Sequence, residues 1–322
     1  MIITVTPNPA LDLTYAVPAI ALGESHRVTS VTERAGGKGL NVASVLTSMG
    51  SGAVAVAPVG ELDLDLFRRD LDARRVPHRL VPSPCPTRRS VAVVEAGGRA
   101  TLFNEAGVPE SKRVWDRLCE EIAALAPEAS VLTVSGSFPT GADTELARRV
   151  TLLAHESGLR VVLDISGPHL TRALAAGPDL VKPNRVEAAV SLSSLGRGDV
   201  PSVPQAARAL VAAGARSAVV SDGTNGLVLV HDSLGHDVAL RARLPRPLSG
   251  NPTGAGDALT ASLAADLEAG GDLPSGRDVW AAALRRGVAW SAAAVLQPVA
   301  GAVDPADVAR LLPTVEIEEI PL

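Results

Sequence analysis

Short, β-branched apolar runs alternate with longer stretches of helical periodicity along most of the chain. The runs at residues 2–5, 54–59, 131–135, 161–165, 180–181, 218–220 and 227–230 are too short for helices and rich in Val and Ile, which predicts strands. Between them, apolar residues recur at helical spacing over 40–48, 111–125, 143–156, 186–195 and 205–213. Gly50, Gly158 and Gly214 close three of these stretches, as glycine commonly closes a helix. In the last third, 254–269 and 278–296 read as two long alanine-rich helices. This alternation predicts an α/β protein with a mostly parallel central sheet covered by helices.

One region breaks the pattern. Residues 13–31, 89–95 and 99–103 look like strands with no helix between them, and Gly97-Gly98 is a good hairpin turn. Strands from about 13–33 and 88–105 would form a small β-sheet lid over the carboxyl ends of the main sheet, where open α/β folds bind ligands. The uncharged stretch 287–303 contains Ser291, Gln297 and Pro298 and is shorter than the ~20 apolar residues of a membrane span, so it predicts a buried helix followed by a turn.

Composition narrows the class of partner. A hydrophobic fraction of 46% in 322 residues suffices for a large core and excludes a mainly disordered chain. Thirty Lys and Arg against 35 Asp and Glu leave a net charge of -5, and aromatic residues make up only 2%, so neither a phosphate-holding field nor a base-stacking platform is present. Nucleic acid is disfavoured and a small-molecule partner favoured. Cys85 and Cys119 are too few for a disulfide framework or a four-thiolate metal site. The opening Met1-Ile2-Ile3-Thr4-Val5 has no basic region ahead of its apolar run and does not read as a signal peptide, which predicts a cytoplasmic protein.

Four segments carry candidate chemistry. Gly254-Ala255-Gly256-Asp257 is a glycine-rich turn opening into a helix, whose amides and dipole would make an anion hole with Asp257 beside it; alternatively Asp257 caps the helix and the glycines are a turn. The pattern is neither a dinucleotide fingerprint nor a Walker A loop. Gly36-Gly37-Lys38-Gly39-Leu40-Asn41 also precedes a helix and offers close backbone approach plus donors from Lys38 and Asn41, or else a tight turn with an exposed lysine. Lys38, Lys112 and Lys182 are the only lysines, so a generic surface cation in this chain would more naturally be Arg. Lys182-Pro183-Asn184-Arg185-Val186-Glu187 puts Asn184 and Glu187 three apart at a helix start, which suits Mg²⁺ with its retained waters, or a capping box. Asp12, in the turn after the first strand, is placed either to bind sugar hydroxyls or simply to sit in a proline turn. Arg27 and Arg88 in the lid segments would clamp a phosphate or lie on a solvated face.

In this order, the four segments resemble the PfkB (ribokinase-like) carbohydrate kinases over nearly the whole chain. Thr87-Arg88, Asn104-Glu105-Ala106-Gly107, Ser135-Gly136-Ser137-Phe138-Pro139 and Asp164-Ile165-Ser166-Gly167 are similar to the 1-phosphofructokinase and tagatose-6-phosphate kinase branch. The resemblance implies a single ribokinase-like, three-layer α/β/α kinase domain over residues 1–322, using ATP and Mg²⁺ to phosphorylate a ketohexose phosphate, and the open strand edges and apolar face of the lid predict a homodimer through it. It implies Asp257 as catalytic base, with the amides of Gly254, Ala255 and Gly256 as anion hole. Asp12, Gly37, Lys38, Asn41 and Ser137 would hold the sugar, and Arg88, with Arg27 from a neighbouring subunit, its phosphate. Lys182, Asn184, Ser221, Gly223 and Gly226 would border the nucleotide, and Glu187 with Asn184 would organise Mg²⁺. The chain departs from the branch at Asn251-Pro252-Thr253, in place of a usual Val before the glycine turn, and at Asp222, in place of a Leu. The alternatives are a kinase for an unphosphorylated sugar or nucleoside, and a non-catalytic sugar-phosphate sensor.

Overall fold

The computed structural model describes residues 1–97, 99–196, 202–235, 237–270 and 276–322. Among them, strands β1 (Ile2–Val5), β4 (Ala53–Gly60), β5 (His78–Ser83), β8 (Val131–Ser135), β9 (Arg160–Asp164), β10 (Leu180–Val181), β11 (Ser217–Ser221), β12 (Leu227–His231), β13 (Val238–Arg243) and β14 (Glu316–Pro321) build the main sheet. Its order is β14-β13-β12-β11-β10-β9-β8-β1-β4-β5. From β11 to β5 every pairing is parallel, and β12, β13 and β14 extend the sheet antiparallel. The chain leaves β1 for β4 on one side and later returns to β8 on the other. That reversal opens a crevice at the carboxyl ends, the place where such sheets take ligands.

Successive strand residues point to opposite faces, and here both faces are apolar. Ile2, Val131, Val162, Leu180 and Val219 join one core with helices α1 (Lys38–Ser48), α2 (Leu64–Ala73), α8 (Ala255–Gly270), α9 (Arg277–Val295) and α10 (Pro305–Leu311). Their neighbours Ile3, Leu132, Leu163, Val181 and Val220 join the other with α3 (Lys112–Leu125), α4 (Leu146–Glu156), α5 (Gly167–Leu174), α6 (Arg185–Ser193) and α7 (Val203–Ala212). The result is the three-layer α/β/α arrangement, with Phe67 and Trp280 among its largest fully buried side chains. The helix read over 143–156 begins at Leu146, because residues 143–145 form a turn in which Asp143 Oδ1 accepts from the Glu145 N–H. Among the described residues, no helix is long and apolar enough to cross a membrane.

A second sheet rises from the carboxyl end of β1. Its order is β3-β2-β6-β7, formed by β2 (Ala10–Val17), β3 (Ser30–Gly36), β6 (Arg88–Glu95) and β7 (Ala100–Asn104). β2 pairs antiparallel with β3 and parallel with β6, and β6 forms an antiparallel hairpin with β7. Gly98 of the hairpin turn lies outside the described residues. Leu11, Leu13 and Ala35 root the sheet in the core, while β7 and most of β3 are exposed.

Candidate active site

On the sheet face toward α1 and α8, the apolar pattern gives out near the carboxyl ends. Ile2 is followed two residues on by Thr4 and then Thr6, Val131 by Thr133 and Ser135, Val162 by Asp164, and Leu180 by Lys182, all of them buried. Residues two apart share a face, so the surface that forms the core ends in a buried polar layer, from which Lys182 reaches the wall of a cleft of about 1430 Å³.

Asp164, 1% exposed, is the centre of that buried layer. Its Oδ1 lies 3.3 Å from Lys182 Nζ and 3.6 Å from Lys38 Nζ, and its Oδ2 accepts from Thr260 Oγ1 at 3.0 Å. Burial favours its neutral form, but the two ammonium groups outweigh burial and hold the carboxyl below its ordinary range. Lys38 reaches on to Glu187 Oε1 at 3.2 Å, and Asp164 chiefly, with Glu187 and Asp257, raises its pKa despite burial.

Asp257 stands above this group in the first turn of α8, 5% exposed, with Oδ2 accepting from Asn41 Nδ2 of α1 at 2.8 Å. It is inside the helix and turned toward α1, so it is not the helix cap. Burial first, and Asp164's charge second, push its pKa up to about 6, against the pull of Lys38, Asn41 and Lys182. The charge count acts in the same direction as burial. Lys38 and Lys182 are matched by Asp164 and Glu187, which leaves Asp257 as the surplus anion. Ahead of it, Gly254 holds φ 87 and packs so tightly that a Cβ there would fall 2.9 Å from Ala300 Cα. Ala255 N–H makes a 3.3 Å contact with the Pro252 carbonyl, and Gly256 and Asp257 continue the open first turn, where amides and helix dipole favour an anion.

Asp12 enters the cleft from the small sheet, opposite Arg34 on β3 and Ser90 on β6. Burial pushes its pKa up to about 6, while Arg88 and Arg34 draw it down. A Cβ on Gly36 would meet Asp12 Oδ2 at 2.0 Å, so the carboxylate fits only against a glycine. Gly37, Lys38 and Asn41 line the wall between Asp12 and Asp257. Arg88 lines the same end, braced by Nε to the Asn8 carbonyl and Nη1 to the Glu105 carbonyl, each at 3.1 Å.

At the other end, Asn184 and Glu187 form a complete capping box at the start of α6: Asn184 Oδ1 accepts from Glu187 N–H at 2.9 Å, and Glu187 Oε2 from Asn184 N–H at 2.8 Å. Glu187 thus does two jobs, with Oε2 on the cap and Oε1 toward Lys38. Ser221 pairs with Asn184 in an isolated bridge, and Gly223 and Gly226 follow in the turn before β12. Leu227, Leu244, Leu248, Val288 and Ala292 give this end an apolar wall. Asp222 is 3.8 Å from Arg185, and Asn251 is tied by N–H to the Val295 carbonyl at 2.8 Å, so both departures from the branch have local partners. Among the described residues, no group of three or more His, Cys, Asp or Glu is arranged to hold a metal. The donors on the cleft wall, Glu187 with Asn184 beside it, fit Mg²⁺, which keeps several waters and takes one or two carboxylates plus phosphate oxygens.

The cleft gathers the sequence-derived residues of the glycine turn, the sugar side and the nucleotide side, with two exceptions. Arg27 is exposed in the irregular segment between β2 and β3, away from the cleft wall. Ser137 is exposed beyond the cleft, where it accepts from Asn8 Nδ2 at 3.2 Å. Sequence reasoning missed Asp164 as a site residue. The available signal was a lone carboxylate ending an apolar strand whose preceding residues are fully buried.

A family model described as pfkB family carbohydrate kinase matches residues 6–307. A protein named 1-phosphofructokinase from Xanthomonas campestris pv. campestris is 35% identical over 270 residues, covering 82% of this chain and 83% of that protein. Another of that name from Rhodobacter capsulatus is 35% identical over 264 residues, covering 81% of this chain and 82% of the relative. Among solved structures, phosphofructokinase-2 from Escherichia coli in complex with potassium superposes with a TM-score of 0.85 at 28% identity, covering 97% of this chain and 98% of its own.

Proposed function

That this chain belongs to the pfkB family of carbohydrate kinases is the premise from which we propose its reaction: transfer of the γ-phosphoryl group of ATP to a hydroxyl of fructose 1-phosphate, fructose 6-phosphate or tagatose 6-phosphate. The observation that carries the reading is a buried carboxylate, Asp257, with pKa about 6, beside an open helix turn and in one cleft with Asp12 and Arg88. A base of that pKa is ionised at neutral pH yet still able to take a proton.

In this reading Asp12, Lys38 and Asn41 orient the sugar, and Arg88 holds the phosphate it already carries. Asp257 accepts the proton of the attacking hydroxyl while the amides of residues 254–256 receive the charge of the transferring group. Lys182, Asn184 and the Ser221, Gly223 and Gly226 turn border the nucleotide. Mg²⁺, held by Glu187 and Asn184 through its waters, would neutralise charge on the phosphates. The small sheet serves as a lid that excludes water and so limits ATP hydrolysis. Its exposed Val31, Leu102 and Phe103, at 54%, 56% and 59%, favour a second copy covering it, with Arg27 of each copy reaching the other's phosphate site. A cytoplasmic location belongs to the same reading, because both substrates are metabolites of that compartment.

The test is ADP release in a coupled assay over a panel of hexoses, nucleosides and hexose phosphates. Turnover only with phosphorylated ketohexoses is expected, with Arg88→Met raising KM for them about tenfold or more, the size of a lost charge-assisted pair. Equal turnover of neutral sugars would refute the substrate class, and no ADP release with any member of the panel would point to a sensor.

A further inference from the structure

Arg34 lies on β3 across from Asp12, on the same face of the small sheet. Its Nη1 donates to the carbonyl of Ala300 at 2.7 Å, joining positions 266 residues apart. The turn it reaches supports the site from two directions. Ala300 packs under Gly254, and Gly301 approaches Asn41 so closely that a Cβ on it would fall 2.9 Å from Asn41 Oδ1. The other atom of that amide, Nδ2, holds Asp257. One charge-assisted bond therefore links the sheet that carries Asp12 to the turn behind both the phosphate-facing amides and the carboxylate between them.

We propose that Arg34 is a positioning residue that makes seating of the sugar against Asp12 and alignment of the 254–257 turn a single event. The proposal rests on the kinase reading above. It assigns Arg34 no contact with substrate. Loss of the guanidinium leaves Asp12, Arg88 and Lys38 in place to bind sugar, but frees the 299–301 turn from the sheet.

The experiment compares the full-length wild type with Arg34→Met and with Arg34→Lys, which keeps the positive charge beside Asp12 and one donor for the carbonyl. Thermal melts first establish that all three fold. Coupled assays then give kcat and KM, and amide hydrogen exchange with and without fructose 6-phosphate or fructose 1-phosphate follows residues 254–257 and 299–301. In the wild type, the phosphosugar slows exchange in both segments. In Arg34→Met, kcat falls about tenfold or more, as for a lost charged hydrogen bond, KM for sugar changes much less, and sugar no longer slows exchange at 299–301. Arg34→Lys recovers part of kcat and of that protection. Wild-type kcat in Arg34→Met, or a lowered kcat with sugar-dependent protection intact, overturns the proposal and leaves the kinase reading standing. A wild type that transfers no phosphate to any sugar removes the kinase reading and the proposal with it.

Discussion

Asp257→Asn sets activity against stability. The amide keeps the size of the side chain and an oxygen for the Asn41 Nδ2 donor, and it removes the surplus negative charge over the Lys38, Lys182, Asp164 and Glu187 group. Loss of the base is expected to lower kcat about 10²- to 10⁴-fold. The same change should stabilise the fold. Burial moves the native pKa from 3.8 to about 6, and at about 1.4 kcal/mol per unit this is roughly 3 kcal/mol. The unfolded carboxyl ionises above about pH 4, whereas the folded one keeps its proton until about 6. The native state therefore loses stability as pH rises across that interval and carries the whole cost above it. Melts at pH 8 should place the Asn variant above wild type by upwards of roughly 5 °C, and the difference should vanish near pH 4. A variant less stable than wild type at pH 8 would refute the reasoning that the buried charge of Asp257 costs stability. Turnover within tenfold of wild type would remove Asp257 as the base.

The pH dependence of kcat/KM should show an acid limb near 6, because Asp257 and Asp12 both titrate at about 6 and both must be ionised; a limb near 4 would contradict their burial. Lys38→Met removes a cation that lowers Asp257, so the limb should move to higher pH, and an unmoved limb would show that Lys38 does not act on that carboxylate. Gly36→Ala brings a methyl to 2.0 Å from the present position of Asp12 Oδ2, so KM for the sugar should rise about tenfold or more through displacement of the carboxylate, with circular dichroism unchanged. An unaltered KM would place the sugar elsewhere.

Most of the central sheet is readable from the chain, because strands covered on both faces become unbroken β-branched runs such as those of β1, β8 and β9. The edges are not. β5 carries Arg79 and Pro82, and β14 carries Glu316, Glu318 and Glu319, residues that protect an open edge and erase the strand signal. α2 hides its buried Leu64, Phe67 and Leu71 among five charged residues. Within the site, Asp257 was legible because its glycine turn carries a local mechanism. The importance of Asp164 comes from Lys38 and Lys182, and that of Arg34 from Ala300, partners that only the folded sheet brings near. Asn184 and Glu187 answered to two readings, and the structure makes the cap while leaving Glu187 Oε1 turned to Lys38.

The bond from Asn41 to Asp257 spans 216 residues. During synthesis, every group on the sugar side emerges long before the carboxylate it must face. Assembly of this pair must therefore wait for the last large helices to dock, as long-range contacts generally do. Catalysis then becomes a late reporter of folding: refolding followed by recovered turnover should lag behind refolding followed by Trp115, whose ring meets Phe138 only 23 residues on, in a variant with Trp280→Phe and Trp290→Phe.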